Sequence, residues 1–316
     1  MDISIIICTR NRADDLRATL RSIGETQVPN DVRAELLVVD NGSTDETPAV
    51  LQKQAFSNMA FRWMQEPTPG LSHARNTALG NARGEVLLCT DDDVRVPSNW
   101  IHGMTKPICD GTADAVAGGV RLAPHLQQPW MRSRNTGILA ETRGINPSEP
   151  DRLVGANMAF HRRVLNLVPG FDPRLGAGAL GMGEETLFSY QLRAAGFSLA
   201  SAFDIEVEHH CDENRFTAQA LRNAWIAVGR SAGYIDYHWR HQSPYNDVSP
   251  TLPTRLSWRG RLIKERATSF FSQNECPVTQ HEAYLLRTWN RKRQFMLESQ
   301  GPRRYTHRGL RLCEID

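Results

Sequence analysis

The sequence predicts an α/β protein, a doubly wound and mostly parallel sheet followed by a helical C-terminal extension. Three observations lead there. Short β-branched runs alternate with segments of helical period through the first 120 residues. Those runs are apolar nearly throughout, whereas a strand with one wet face would alternate apolar and polar residues. Beyond about residue 250 the chain turns basic, with 13 Lys and Arg against 6 Asp and Glu over residues 251–316.

The expected strands in order are Ile3–Cys8, Glu35–Val39, Phe61–Gln65, Glu85–Cys89 and Ala115–Val120. Between them the spacing predicts helices over Asp14–Ile23, Thr47–Gln54, Ser72–Ala82 and Ser98–Cys109. The first helix shows its inner face directly, because Leu16, Leu20 and Ile23 recur at helical intervals. Strands buried on both sides between such helices make a parallel sheet covered by two helical layers. Residues 121–153, rich in Pro, Arg and Asn, read as a long, partly ordered excursion. Order resumes with Leu153–His161, a helix over Gly183–Ala195, a strand over Leu199–Glu208 and a helix over Arg215–Gly229.

Composition excludes several classes. A formal net charge of +2 does not describe a polycation that seeks nucleic acid. The six cysteines (Cys8, Cys89, Cys109, Cys211, Cys276 and Cys313) are scattered without a Cys-x-x-Cys pair, which points to a reducing compartment and no disulfide framework. No stretch approaches the ~18 consecutive apolar residues of a membrane span, and the N-terminal run is too short for a signal peptide. A soluble protein, at most peripheral to a membrane, is expected.

Ligands of open parallel sheets bind outside the carboxyl ends of the strands, so the residues after each strand matter most. The first strand is followed by Thr9-Arg10-Asn11-Arg12, the second by Asp40-Asn41-Gly42-Ser43 and the fourth by Asp91-Asp92-Asp93. Parallel strands place all three clusters on one edge. The first strand is not followed by a Gly-x-Gly-x-x-Gly turn, and the chain has no Gly-x4-Gly-Lys-Ser/Thr loop, which argues against a dinucleotide dehydrogenase and a P-loop NTPase. A phosphate held without a glycine cradle draws charge from elsewhere, and a divalent cation on carboxylates supplies it. Three adjacent acids are often only a solvated loop. Directly after the apolar run Val86–Cys89, however, they repel one another unless a cation offsets them.

These residues carry a resemblance. Ile5–Arg12, Val38–Asp45, Gly70–Asn76 and Leu88–Asp93 are similar, in order, to the motifs of glycosyltransferase family 2, and Gly155–Phe160 and Gly183-Glu184-Glu185 continue the match. The resemblance implies the two-lobed GT-A fold over residues 1–215, with a nucleotide-binding half (1–120) and an acceptor-binding half (121–215), followed by the basic extension 216–316. It implies an inverting transfer of sugar from a nucleoside diphosphate donor to an acceptor hydroxyl, in cell-surface polysaccharide or glycolipid synthesis. Thr9, Arg10, Arg12, Asp40, Arg75, Asp91, Asp93 and Asn157 would bind the nucleotide sugar, Asp40 by accepting from the base and Arg75 beside the nucleotide or diphosphate. Asp92 would hold manganese or magnesium, with His209 completing the site and His210 in reserve. Two registers of the triple aspartate leave Asp93 open between roles.

Glu185 would be the catalytic base, ionised at neutral pH, and Glu184 a positioning or acceptor-binding group. The family usually has Glu-Asp where this chain has Glu-Glu, which moves the second carboxylate by about one methylene. Acids in a helix's first turn also offset the helix dipole, a simpler reading of the same pair. Two rivals stand beside the transferase. A sugar-nucleotidyltransferase would want a glycine-rich basic loop after the first strand, and a non-catalytic carbohydrate-binding protein would not need the acids. Near the C-terminus, Trp258–Phe270 reads as an amphipathic helix with cationic flanks. It either packs on the catalytic domain or meets an anionic membrane face, bringing a cytoplasmic enzyme to a glycan or lipid-linked acceptor.

Overall fold

The computed structural model describes residues 2–131, 137–143, 145–146, 148, 150–245 and 276–307. Its eight strands are β1 (Ile3–Thr9), β2 (Ala34–Asp40), β3 (Ala60–Gln65), β4 (Val86–Thr90), β5 (Val94–Arg95), β6 (Ala115–Leu122), β7 (Asn157–His161) and β8 (Leu199–His209). They form one sheet in the order β3-β2-β1-β4-β7-β6-β8-β5. The helices are α1 (Ala13–Gly24), α2 (Thr47–Gln52), α3 (Leu71–Asn81), α4 (Trp100–Cys109), α5 (Glu184–Ala194), α6 (Ala218–Ile235) and α7 (Gln280–Glu298). The expected α/β architecture with a helical C-terminal region is what forms.

β1 to β4 are mutually parallel, in keeping with the largely apolar runs of β1, β2 and β4. Ile5, Ile6 and Ile7 are all buried, so both faces of β1 are covered. Ile3, Ile5 and Ile7 join Leu16, Leu20 and Ile23 of α1 and Trp100, Ile101 and Met104 of α4 in one core. On β7, Phe160 meets Phe188 of α5 at 5.1 Å between ring centroids, and Phe188 meets Phe171 at 4.7 Å. Each such fully buried aliphatic or aromatic side chain contributes about 1.5–3 kcal/mol.

The second half of the sheet is mixed, which the sequence did not reveal. β7 runs antiparallel to both β4 and β6, while β6 and β8 are parallel and β5 is a short antiparallel partner of β8. A five-residue apolar run such as Asn157–His161 reads the same in either direction. The β6–β8 register slips at Gly118/Gly119. A Cβ at Gly118 would lie 2.2 Å from Asn157 Nδ2, and one at Gly119 would lie 2.5 Å from the Phe203 carbonyl.

The chain divides into two compact units. One draws on Met1–Leu126, Ser133–Ala179 and Glu184–Cys211, the other on Gln127–Arg132, Leu180–Gly183 and Asp212–Asp316. In the second, α6 and α7 pack closely because Gly229 and Gly233 leave no side chain between them. A Cβ at those positions would sit 2.4 Å from the Arg287 carbonyl and 2.2 Å from that of Arg291. Thr217 and Thr279 cap the two helices through side chains that accept from Ala220 N and Glu282 N. Part of the basic charge is paired internally, Arg222 with Glu282 at 2.7 Å and Arg291 with the buried Asp236. The segment Trp258–Phe270 lies outside the described residues. No described helix is long and apolar enough to cross a membrane.

Candidate active site

The parallel half of the sheet brings the expected clusters to one edge. Thr9 at the end of β1 stands opposite Asp40 at the end of β2, and β4 ends at Thr90 beside β1. Arg10 is exposed there. Asn11 adopts φ 53°, and its side chain accepts from Thr44 N at 2.7 Å while its own N–H donates to Ser43 Oγ at 2.9 Å. Asp40 is fully buried. Its Oδ1 accepts from Ser43 N at 2.9 Å, and its Oδ2 is buried without a hydrogen-bond partner among the described residues. A buried acceptor in that state costs about 1–3 kcal/mol, which a ligand N–H would recover. Asn41 next to it donates to the carbonyls of Glu66 and Thr68 at 2.9 and 2.7 Å and accepts from Gly70 N at 2.8 Å. That amide fixes the loop after β3 beside Asp40.

The triple aspartate forms the turn between β4 and β5, and α1 holds it. The Thr19 hydroxyl lies 2.7 Å from the Asp92 carbonyl and 2.9 Å from that of Val94, and it accepts from Val94 N at 3.2 Å. Sequence reading missed Thr19, although one buried hydroxyl amid the apolar stripe of Leu16, Leu20 and Ile23 was a visible signal. Asp93 faces Arg12 Nη1 at 3.0 Å and His209 Nε2 at 3.3 Å. Asp92 instead sits 3.9 Å from Arg12 Nε. Of the acids, Asp93, left open between roles by the two registers, is thus in contact with His209, and Asp92 stands by Arg12. Val94 pairs with His209 across β5 and β8, which places the preceding residue against the ring.

His209 is buried, and its Nδ1 lies 3.0 Å from the Leu139 carbonyl. A carbonyl only accepts, so Nδ1 carries a proton and donates to it, while Nε2 faces the Asp93 carboxylate. At that distance the two groups can share a proton or bind one cation. His210, the reserve candidate, is 2.8 Å from Glu208 on its own strand, with its backbone N–H on the Asp93 carbonyl. Burial, then the Asp93 charge, pushes Asp92 up to about 7, while Arg12 and the Thr9 hydroxyl pull the other way. The Arg12 cation is itself held above its usual range, because Asp92, Asp93 and Asp15 outweigh the cost of its burial.

Arg75 is not an open cation waiting for phosphate. It is buried, donating from Nη1 to Glu184 Oε1 at 2.8 Å and from Nη2 to Asp91 Oδ1 at 3.4 Å. Burial disfavours its charge, but Glu184, Asp91 and Glu185 outweigh that and raise its pKa. Asp91 is raised by burial against the opposing charge of Arg75. Glu185 follows in the first turn of α5, where its Oε2 is buried without a hydrogen-bond partner among the described residues. Burial first and Glu184 second push Glu185 up to about 8, against the opposing charge of Arg75. The expectation of a carboxylate ionised at neutral pH is therefore not met in this structure.

Asn157 stands apart from the acids. Its Nδ2 donates to the carbonyls of Gly119 and Ile205, each at 2.9 Å, and its Oδ1 accepts from Trp100 Nε1 at 2.9 Å. Both amide protons and the oxygen are committed to the protein, so the side chain ties β7 to β6, β8 and α4.

A family model described as glycosyl transferase family 2 matches residues 4–167. The succinoglycan biosynthesis protein ExoM of Rhizobium meliloti is 30% identical over 233 residues, covering 73% of this chain and 72% of that protein. The mannosyltransferase PcManGT from Pyrobaculum calidifontis, solved in complex with GDP-Man and Mn2+, is similar at a TM-score of 0.56 and 19% identity, over 93% of this chain and 84% of that one. Residues 1-349 of S. aureus TarS in complex with UDP-GlcNAc are similar at a TM-score of 0.51 and 16% identity, over 97% and 93% of the two chains. At these identities the two solved structures show the fold alone.

Proposed function

The chain is a glycosyltransferase of family 2, and from that membership we propose that it moves a sugar from a nucleoside diphosphate donor to an acceptor hydroxyl with inversion at the anomeric carbon. Glu185 carries the catalytic reading over a merely binding one. A buried carboxylate oxygen with no hydrogen-bond partner among the described residues, on a group pushed up to about 8, binds a proton well and adds nothing to holding a nucleotide. Glu184, paired with Arg75, is already committed, which favours Glu185 as the base.

Asp93 and His209 fit a divalent cation, manganese or magnesium. The chemistry of the pair supports this, since the carboxylate faces Nε2 of an imidazole whose other nitrogen is held by a backbone carbonyl. When bound, the cation would offset charge on the leaving diphosphate. Among the described residues no group of three or more His, Cys, Asp or Glu gathers as a metal cage, so donor and water oxygens would complete the coordination. Asp40 Oδ2 would accept an N–H of the nucleoside base, with Thr9 opposite and Arg10 at the rim. Arg12 lies close enough to Asp92 and Asp93 to share their charge before the donor arrives. Glu185 Oε2 takes the proton of the acceptor hydroxyl as its oxygen attacks the face opposite the diphosphate.

The likeness to a succinoglycan biosynthesis protein supports polysaccharide synthesis, with a glycan or lipid-linked sugar as acceptor. The basic extension would meet the inner face of a membrane from the cytoplasm. The test is nucleoside diphosphate release from a panel of GDP- and UDP-sugars with added acceptor glycans, with product anomers read by NMR. Release that needs Mn2+ or Mg2+ and gives the inverted anomer is expected. Turnover indifferent to chelator, or retention of configuration, would overturn the reading.

A further inference from the structure

We propose that Arg75 is a positioning residue that joins the donor side of the site to its base, holding Asp91 with one guanidinium arm and Glu184 with the other, so that Glu185 is presented in register. The proposal rests on Glu185 being the base. The motif around Arg75 invites a different role, a cation on the diphosphate, and the packing argues against it. The side chain is 5% exposed, and both of its terminal nitrogens are spent on carboxylates.

Its surroundings form a cage from three stretches of chain. The guanidinium stacks on Phe171 at 5.3 Å. Asn76, the next residue on α3, grips the backbone of Phe171 from both sides, donating to its carbonyl at 2.7 Å and accepting from its N–H at 2.9 Å. One turn earlier, Ser72 donates to the Leu175 carbonyl at 2.8 Å. Gly155 closes a third side, since a Cβ there would lie 2.5 Å from Arg75 Nη2. Gly176, at φ 89°, lets the chain pass Glu184, where a Cβ would come within 3.1 Å of its carboxyl carbon. Three of these residues (Ser72, Arg75 and Asn76) come from one helix, so α3 is the rigid element that sets the distance between the acid turn and the start of α5.

Two consequences follow for the reaction. Glu184 and Glu185 are neighbours in one helical turn, so fixing the Glu184 carboxylate fixes the backbone that aims Glu185. The charged groups that face Glu185 are Glu184, which disfavours its ionisation, and Arg75, which favours it. Loss of the guanidinium thus both loosens the base and moves its titration upward. A lysine keeps the charge but offers one nitrogen for two carboxylates placed on different elements.

The experiment measures kcat, donor KM and the pH dependence of kcat for Arg75→Lys, for Arg75→Met and for the double variant Arg75→Met, Glu184→Gln. Binding of a nucleoside diphosphate with Mn2+ is measured by calorimetry on the same proteins. For Arg75→Lys, kcat is expected to fall about tenfold to a hundredfold, the usual cost of a misplaced catalytic group, with nucleotide affinity within about twofold. The limb of the pH–rate profile should stay near wild type in Arg75→Lys, which keeps the charge, and rise in pH in Arg75→Met, which loses it. The double variant removes both charges of the buried pair, so it tests the role even where a single variant folds poorly. It is expected to bind nucleotide normally and to keep the low kcat. Weakened nucleotide binding with kcat intact would make Arg75 a diphosphate ligand and overturn the proposal, as would an unmoved pH limb in Arg75→Met. If Glu185→Gln stays active, the base assignment itself has failed, whatever Arg75→Lys does.

Discussion

Replacing Glu185 with Gln should stabilise the protein while removing its activity, and the size of both effects follows from one group. The Glu185 carboxyl titrates near its ordinary 4.5 when unfolded and near 8 when folded, because burial and then Glu184 oppose its charge. Between those values the folded state binds more protons than the unfolded one, so stability falls as pH rises from 4.5 toward 8. At about 1.4 kcal/mol per unit, the loss reaches roughly 4 kcal/mol at pH 8 for a fully buried carboxyl. Part of the side chain reaches water, and screening there reduces the expected effect to about 2 kcal/mol. Glutamine keeps the shape and cannot ionise. Urea unfolding of both proteins from pH 4.5 to pH 8.5 should give curves that coincide in acid and diverge in base, the variant being the more stable. In transfer assays the wild-type kcat should rise about tenfold from pH 7 to pH 9, as the ionised fraction grows, and the variant should lose ~10²–10⁴ in rate. A stability difference that stays constant across the pH range would refute the assigned titration. Activity near wild type in the variant would refute the role of the base.

The remaining expectations concern the donor edge. Thr19→Val removes the hydroxyl that pins Asp92 and Val94, so it should cost about 1–2 kcal/mol in thermal unfolding and weaken Mn2+-dependent nucleotide binding, with Thr19→Ser restoring both. Asp93→Asn and His209→Ala should each abolish the Mn2+ dependence of nucleotide binding seen by calorimetry, whereas a variant that still titrates with the metal would send the cation to Asp92 alone. Asp40→Asn should weaken nucleotide binding by about tenfold to a hundredfold, or ~1–3 kcal/mol, by removing the buried acceptor, and should leave kcat at saturating donor largely unchanged.

Burial along β1, β2 and β4 was legible in the sequence, because a strand covered on both faces is apolar along most of its length. Ile3–Cys8 and Glu85–Cys89 announce this locally, and parallel ends then bring Thr9, Asp40 and Asp91–Asp93 to one edge without any knowledge of distances. The order of motifs also carried the family. The partners of the charged groups were not legible, since they depend on register between segments far apart in the chain. Three successive aspartates look alike in one dimension, and only the pairing of Val94 with His209 decides that Asp93 meets the imidazole. Arg75 reads as a cation beside the nucleotide or diphosphate until its partner Glu184, 109 residues away, closes on it. Asn157 reads as a polar ligand until the slip at Gly118/Gly119 opens the space that its amide fills. Glu185 reads as an ordinary acid, and only its burial beside Glu184 raises its pKa. Periodicity records which residues leave water. Which of them then touch, and with what charge, is set by strand register and packing, and these exist only in the folded chain.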